Sequence, residues 1–172
     1  YKYLGFKKNP DILRMLLMNQ PHSEIPLSES SLIFGNRNAS IRITAFLSLN
    51  CSHCARAFEK IRNMLNNKED ILLNLMLITS DYKVLNILYN YNRQGNSAGS
   101  LKLLEQWFSA DTYSRTKITD GLCIPEDSDL SREVNEESTR LFKEYNVMRT
   151  PTFFINGYKL PAQYEIDDLR YF

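Results

Sequence analysis

Apolar and polar residues change period several times along this chain, and each change marks an element. Ile41, Ile43, Ala45 and Leu47 alternate with Arg42, Thr44 and Phe46, which predicts a strand with at least one buried face. Downstream, Ala57, Phe58, Ile61, Met64 and Leu65 recur at three- and four-residue spacing, which predicts an amphipathic helix. Ile71 to Ile78 is then almost continuously apolar, as expected of a strand buried on both faces. Strand, helix, strand in this order predicts a βαβ unit with a right-handed crossover and parallel pairing.

The flanking segments divide in the same way. Asn9-Pro10-Asp11 has helix-start chemistry, and Ile12, Leu13, Leu16 and Leu17 give a short apolar stripe ending near Asn19. Pro21 and Pro26 break the next stretch into an extended connector, in which His22 is expected to face solvent. Ser31 to Phe34 reads as a short strand, and Gly35 to Ser40 as the turn into the strand described above. From Ser80 to about Tyr145 the pattern is helical. Val84, Leu85, Leu88 and Tyr89 form one stripe, and Leu101, Leu103, Leu104, Trp107 and Phe108 another. A third helix, starting at Asp129 or Ser131, carries Val134, Leu141, Phe142 and Tyr145. Trp107 and the tyrosines of this stretch are expected in the core or in a groove wall. Thr152 to Ile155 returns to strand, Asn156-Gly157 is a hairpin turn, and Tyr158 to Leu160 runs back. Ile166, Leu169 and Phe172 mark a final helix starting near Glu165.

Composition narrows the function classes. The chain has 172 residues, 43% hydrophobic and 24% charged, as in an ordinary globular protein with a sizeable core. A net charge of +1 gives no reason to expect nucleic acid. There is no polybasic stretch for a membrane surface, and the longest apolar run, Ile71 to Thr79, is too short to span a bilayer. The chain opens at Tyr1 without a visible signal peptide, so it is expected to be a piece of a longer protein. Three cysteines are too few for a disulfide framework, which leaves catalysis for two of them.

Those two are Cys51 and Cys54, set where the strand ends and the helix begins. A thiol in the first turn of a helix meets unpaired N–H groups and the positive end of the helix dipole, both of which favour thiolate. A second cysteine three residues on lies on the same face, within reach of a disulfide. Two small buried residues and half of a zinc site are the alternatives. The zinc site lacks a second pair, since only Cys123, His22 and His53 remain. The strand–Cys-x-x-Cys–helix context favours a redox pair. Cys51, at the helix tip, is the expected exposed thiol, and Cys54, one turn in, the buried resolving one. His53 can add a hydrogen bond or positive charge to the Cys51 thiolate, or be a solvated loop histidine.

Phe46, the Cys51–Cys54 pair and Thr150-Pro151-Thr152-Phe153-Phe154-Ile155-Asn156-Gly157 together resemble the thioredoxin superfamily. The separation between Cys54 and Pro151 is roughly twice that of a plain thioredoxin. The excess resembles the helical insertion of DsbA-like disulfide oxidoreductases, and Gly35 with Ala39 to Ile43 resembles their entry strand. More narrowly, Leu160 to Leu169 resembles the thioredoxin-like domain fused to bacterial vitamin K epoxide reductase-type membrane proteins. The resemblance implies an α/β thioredoxin fold, a mixed central sheet flanked by helices, with an inserted helical subdomain. Its expected division is 1–28 as docking helix and linker, 29–79 and 147–172 as the two parts of the core, and 80–146 as the insertion.

The same resemblance implies a cis peptide before Pro151, with Thr150, Pro151 and Ser52 contacting an extended substrate. It implies no cofactor beyond the Cys51–Cys54 disulfide and no metal. It further implies cysteine-containing extracytoplasmic proteins as substrates and a quinone-coupled, vitamin K epoxide reductase-type membrane partner that tethers and reoxidises the domain. His53 resembles DsbA-type oxidants. Thr150 resembles the disulfide isomerases instead, so a reductase, an isomerase or a non-catalytic peptide-binding module are the rivals. In many relatives a buried carboxylate lies six residues before the first cysteine; here that position is Ala45. Cys123 is expected to be a free thiol within the insertion, or else a shuttle cysteine.

Overall fold

The computed structural model describes residues 2–28, 30–122 and 128–172. Its centre is one five-stranded mixed sheet: β1 (Leu32–Gly35), β2 (Ile41–Ser48), β3 (Ile71–Ile78), β4 (Thr152–Ile155) and β5 (Tyr158–Lys159), in the spatial order β1-β3-β2-β4-β5. β2 and β3 run parallel in register from Ile41 opposite Ile71 to Ser48 opposite Ile78. The crossover between them is the helix over Ser52–Asn67, as the βαβ pattern predicts. The other three pairings are antiparallel.

Ahead of the sheet lie α1 (Lys2–Lys7) and α2 (Pro10–Met18). The Asn9 side chain caps α2 by accepting from the Asp11 N–H at 3.0 Å, and Leu13 and Leu17 are buried. The Ser52–Asn67 helix is α3. Four helices follow β3: α4 (Tyr82–Arg93), α5 (Ser97–Ser109), α6 (Thr112–Asp120) and α7 (Ser128–Glu144). Asp81, Asn96 and Asp111 accept from main-chain N–H groups at the starts of α4, α5 and α6. The final element is a short 3-10 helix, Ile166–Tyr171, entered through a reciprocal capping box between Glu165 and Asp168.

The alternation in β2 does not mean one wet face. Ile43, Ala45 and Leu47 join α3, α4 and α5 in the larger core, yet Phe46 is also fully buried. It packs edge-on against Phe142 of α7, with ring centroids 4.9 Å apart, alongside Met76, Leu141 and Phe154. The insertion therefore returns through α7 to cover the second face of the sheet. His22 is solvent-exposed but engaged: its ring stands edge-on to Tyr158 at 4.8 Å, and Ser23 N–H donates to the Gly157 carbonyl at 2.8 Å. The Asn156-Gly157 turn has both residues at positive φ, 50° and 86°, the geometry a two-residue hairpin requires. Cys123 lies outside the described residues. Among the described residues, no helix is long and apolar enough to cross a membrane.

Candidate active site

The end of β2 and the first turn of α3 bring the two cysteines together. Cys51 has extended backbone and is the N-cap of α3; its Sγ accepts from the Cys54 N–H at 3.3 Å. A sulfur replaces the usual capping oxygen, so an orphan N–H and the helix dipole both act on the thiol. Cys54 is fully buried one turn in, and its Sγ accepts from the Ser48 N–H at 3.4 Å. The two thiols are unbonded, so the geometry is that of the dithiol form.

Their environments push them apart. Partial burial alone would raise the Cys51 thiol. Hydrogen bonds from the Cys54 side chain and main chain, the Thr150 side chain and the His53 main chain outweigh it and hold the thiol below its ordinary value. Burial pushes the Cys54 thiol up to about 12. An ionisable outer thiol over a protonated inner one is the asymmetry that thiol–disulfide exchange uses.

The loop before β4 faces this pair. The Thr150–Pro151 peptide is cis, and the Thr150 carbonyl lies 3.8 Å from Cys51 Sγ, which donates to it in the thiol form. Beside Pro151 opens a groove of about 1140 Å³, walled by His53 and Arg56 of α3, by Met148 and by Lys159. Met148 is 89% exposed at its rim. Ser52, the first residue of α3, is exposed next to Cys51.

The His53 side chain is exposed and is engaged by its own helix. Its Nδ1 takes a 3.2 Å hydrogen bond from the Arg56 guanidinium, which can only donate, so the ring turns along α3 toward the groove. Residue 53 acts on Cys51 through its main chain instead. The position of Ala45 is fully buried in β2, between Leu75 and Phe153. Among the described residues the one buried carboxylate is Asp168, which pairs with Lys7 at 3.0 Å, so no buried acid serves Cys54. No group of three or more His, Cys, Asp or Glu among the described residues is placed to hold a metal ion.

Three residues brace the turn before Cys51, a role that the sequence pattern does not assign to them. Trp107 Nε1–H of α5 donates to the Leu49 carbonyl at 2.7 Å. Thr79 Oγ1 donates to Asn50 Oδ1 at 3.1 Å, and the Thr79 N–H in turn donates to Asn135 Oδ1 of α7 at 3.3 Å. The sequence marks Trp107 as a core or groove-wall residue and Thr79 and Asn135 only as polar positions; the pairings depend on the tertiary fold.

A family model described as thioredoxin matches residues 27–172. The chain belongs to the thioredoxin family. Solved structures agree on the fold of this thioredoxin-family chain. ScsC from Proteus mirabilis, in a transitional conformation, is 18% identical with a TM-score of 0.69, over 83% of this chain and 70% of that one. A periplasmic thioredoxin-like protein from Salmonella enterica serovar Typhimurium is 16% identical with a TM-score of 0.68, over 94% of each chain. The thiol-disulfide exchange protein α-DsbA2 from Wolbachia pipientis is 16% identical with a TM-score of 0.61, over 96% of this chain and 94% of that one. No curated protein matches the sequence significantly. The thioredoxin fold with its helices inserted between β3 and β4 is thus common to this chain and these proteins, and it sets the Cys51–Cys54 turn opposite Pro151.

Proposed function

We propose that this thioredoxin-family protein is a thiol–disulfide oxidoreductase that donates its Cys51–Cys54 disulfide to cysteines of extracytoplasmic proteins. The observation that carries the reading is the asymmetry of the pair: Cys51 held below the ordinary thiol value at the tip of α3, Cys54 sealed beneath it and pushed up to about 12. A substrate thiolate attacks Cys51 Sγ; the Cys51–Cys54 bond breaks, and Cys54 leaves with the electron pair and takes a proton from solvent. Once protonated, Cys54 is a poor nucleophile, so the mixed disulfide persists until a second substrate thiolate attacks its own sulfur partner. Cys51 then leaves as a stabilised thiolate. The substrate has lost two electrons and the pair has gained them.

Direction is set by the same groups. Stabilising the Cys51 thiolate stabilises the reduced form and makes the disulfide oxidising. With Ala45 where a carboxylate would take the Cys54 proton, attack by Cys54, which reduction of substrates requires, has no buried base. In this reading Thr150, Pro151 and Ser52 line an extended substrate in the manner of strand addition, and His53 assists through its main chain. Residues 1–28 serve as docking helix and linker, 80–146 as the inserted subdomain, and 29–79 with 147–172 as the core. The resemblance of Leu160 to Leu169 supports a quinone-coupled, vitamin K epoxide reductase-type membrane partner as tether and oxidant, and the likeness to a periplasmic protein supports a site outside the cytoplasm.

The test is the equilibrium redox potential of the pair against glutathione, read by thiol alkylation in Cys123→Ser protein. A value nearer the roughly −120 mV of strong oxidants than the roughly −270 mV of reducing thioredoxins is expected. A reducing value moves the protein to the reductase or isomerase reading. Absence of a reversible pair overturns exchange altogether and leaves a peptide-binding module.

A further inference from the structure

The groove beside Pro151 is unusual in its charge. The whole chain is nearly balanced, with 21 Lys and Arg against 20 Asp and Glu. The charged groups on the groove wall are instead Arg56, Lys60, Arg149, Lys159 and a single carboxylate, Glu165, with His53 beside them. Lys60 is committed: it donates to Glu165 at 2.8 Å and lies 3.4 Å from Asp167. Arg56, Arg149 and Lys159 are exposed and have no carboxylate partner among the described residues. Three uncompensated cations therefore face one groove.

Their positions relative to the cysteines give this charge a direction. Arg149 immediately precedes Thr150, whose carbonyl reaches Cys51 Sγ. His53, Arg56 and Lys60 are spaced three and four apart, so they share one face of α3 leading away from Cys51. Lys159, on β5, lines the same groove. A segment laid along Thr150 with its cysteine at Cys51 would put its neighbouring side chains among these cations.

Resting on the exchange reading above, we propose that this groove selects polypeptide segments that carry acidic residues next to the reacting cysteine. The charge acts in two ways. Attraction raises the encounter rate of acidic segments. Acidic neighbours also hold a free thiol in its protonated form, and the cations of the groove offset them, so the attacking thiolate forms on docking. The occupant is an extended acidic polypeptide, because the groove lies beside the Thr150–Pro151 segment, is lined by these cations and is edged by the exposed apolar side chain of Met148.

The experiment uses the full chain carrying Cys123→Ser, with the Cys51–Cys54 pair oxidised. It measures second-order thiol loss by quenched-flow alkylation for three dithiol peptides with Glu, Gln or Lys flanking the first cysteine. The expected order is Glu, then Gln, then Lys, with Glu about tenfold over Lys at low ionic strength and a ratio that collapses in 0.5 M salt, about where the screening length shrinks to a few ångströms. The double variant Arg149→Glu, Lys159→Glu is expected to reverse the order. Equal rates for all three peptides, or a ratio indifferent to both salt and the double variant, overturn the acidic selection while leaving exchange intact. No reaction with any peptide overturns exchange itself, and this proposal with it.

Discussion

At the scale of single residues, the chemistry depends on a thiol standing in for a capping oxygen. Cys51 spends the N-cap position of α3 on reactivity, and the fold recovers part of the cap through the Cys54 N–H that the sulfur accepts. The consequence for stability has a definite sign. A thiol whose value is lowered on folding stabilises the reduced protein above the ordinary thiol value, and that contribution is lost as the pH falls through the folded value. Reduced wild type should therefore gain unfolding free energy relative to Cys51→Ser as the pH rises toward 9 and lose that gain steadily on acidification, as measured by urea unfolding, on top of a pH-independent offset from the better capping by a serine oxygen. Cys54, raised by burial, acts in the opposite sense, contributing below the ordinary thiol value and losing it toward pH 12. A margin that grows on acidification would show that the outer thiol is not the stabilised one.

At the scale of elements, the active-site turn is held from outside its own βαβ unit. Trp107→Phe leaves the Leu49 carbonyl without its donor, at a cost of about 1–3 kcal/mol, and the smaller ring adds a packing loss at this buried site. The variant is also expected to change the Cys51 alkylation rate, because Leu49 stands two residues before the thiol; an unchanged rate would mean that the indole only packs. Elements of this kind mark the boundary of what the pattern of residues reveals. β2, β3 and α3 are legible because their periods are clean, and the hairpin because Asn156-Gly157 tolerates positive φ. α1 is not, since Lys2–Lys7 has a glycine and little apolar stripe and relies on tertiary packing. The turn of α6 is hidden inside a stretch that reads as helical throughout, although Asp111 marks its start. At the site, the positions of both cysteines follow from helix-terminus chemistry. For His53 the sequence leaves two readings open, a partner of the Cys51 thiolate or a solvated histidine; the side chain is exposed, and Arg56, three residues on along α3, hydrogen-bonds its Nδ1. That spacing is visible in the sequence, but the competition between Arg56 and Cys51 for the ring is decided only by side-chain geometry.

At the scale of the whole molecule, the two ends of the chain are tied across the core. Lys7 of α1 meets Asp168 of the closing 3-10 helix at 3.0 Å, with side chains only 15% and 10% exposed. Lys7→Met should strand a nearly buried carboxylate and cost about 3 kcal/mol, read as a lower midpoint in thermal or urea unfolding; a loss below about 0.5 kcal/mol would class the pair with surface bridges. The bond from Trp107 to Leu49 has a different consequence. Its donor lies 58 positions from its acceptor, so the reactivity of the dithiol is not a portable property of the Cys51-Ser52-His53-Cys54 tetrapeptide. Transplanted onto a shorter relative without these helices, the same four residues would keep their order and lose the brace that fixes the turn before them. Conversely, substitutions deep in the inserted helices, remote from any substrate, become a route by which this protein can be retuned while its motif stays unchanged.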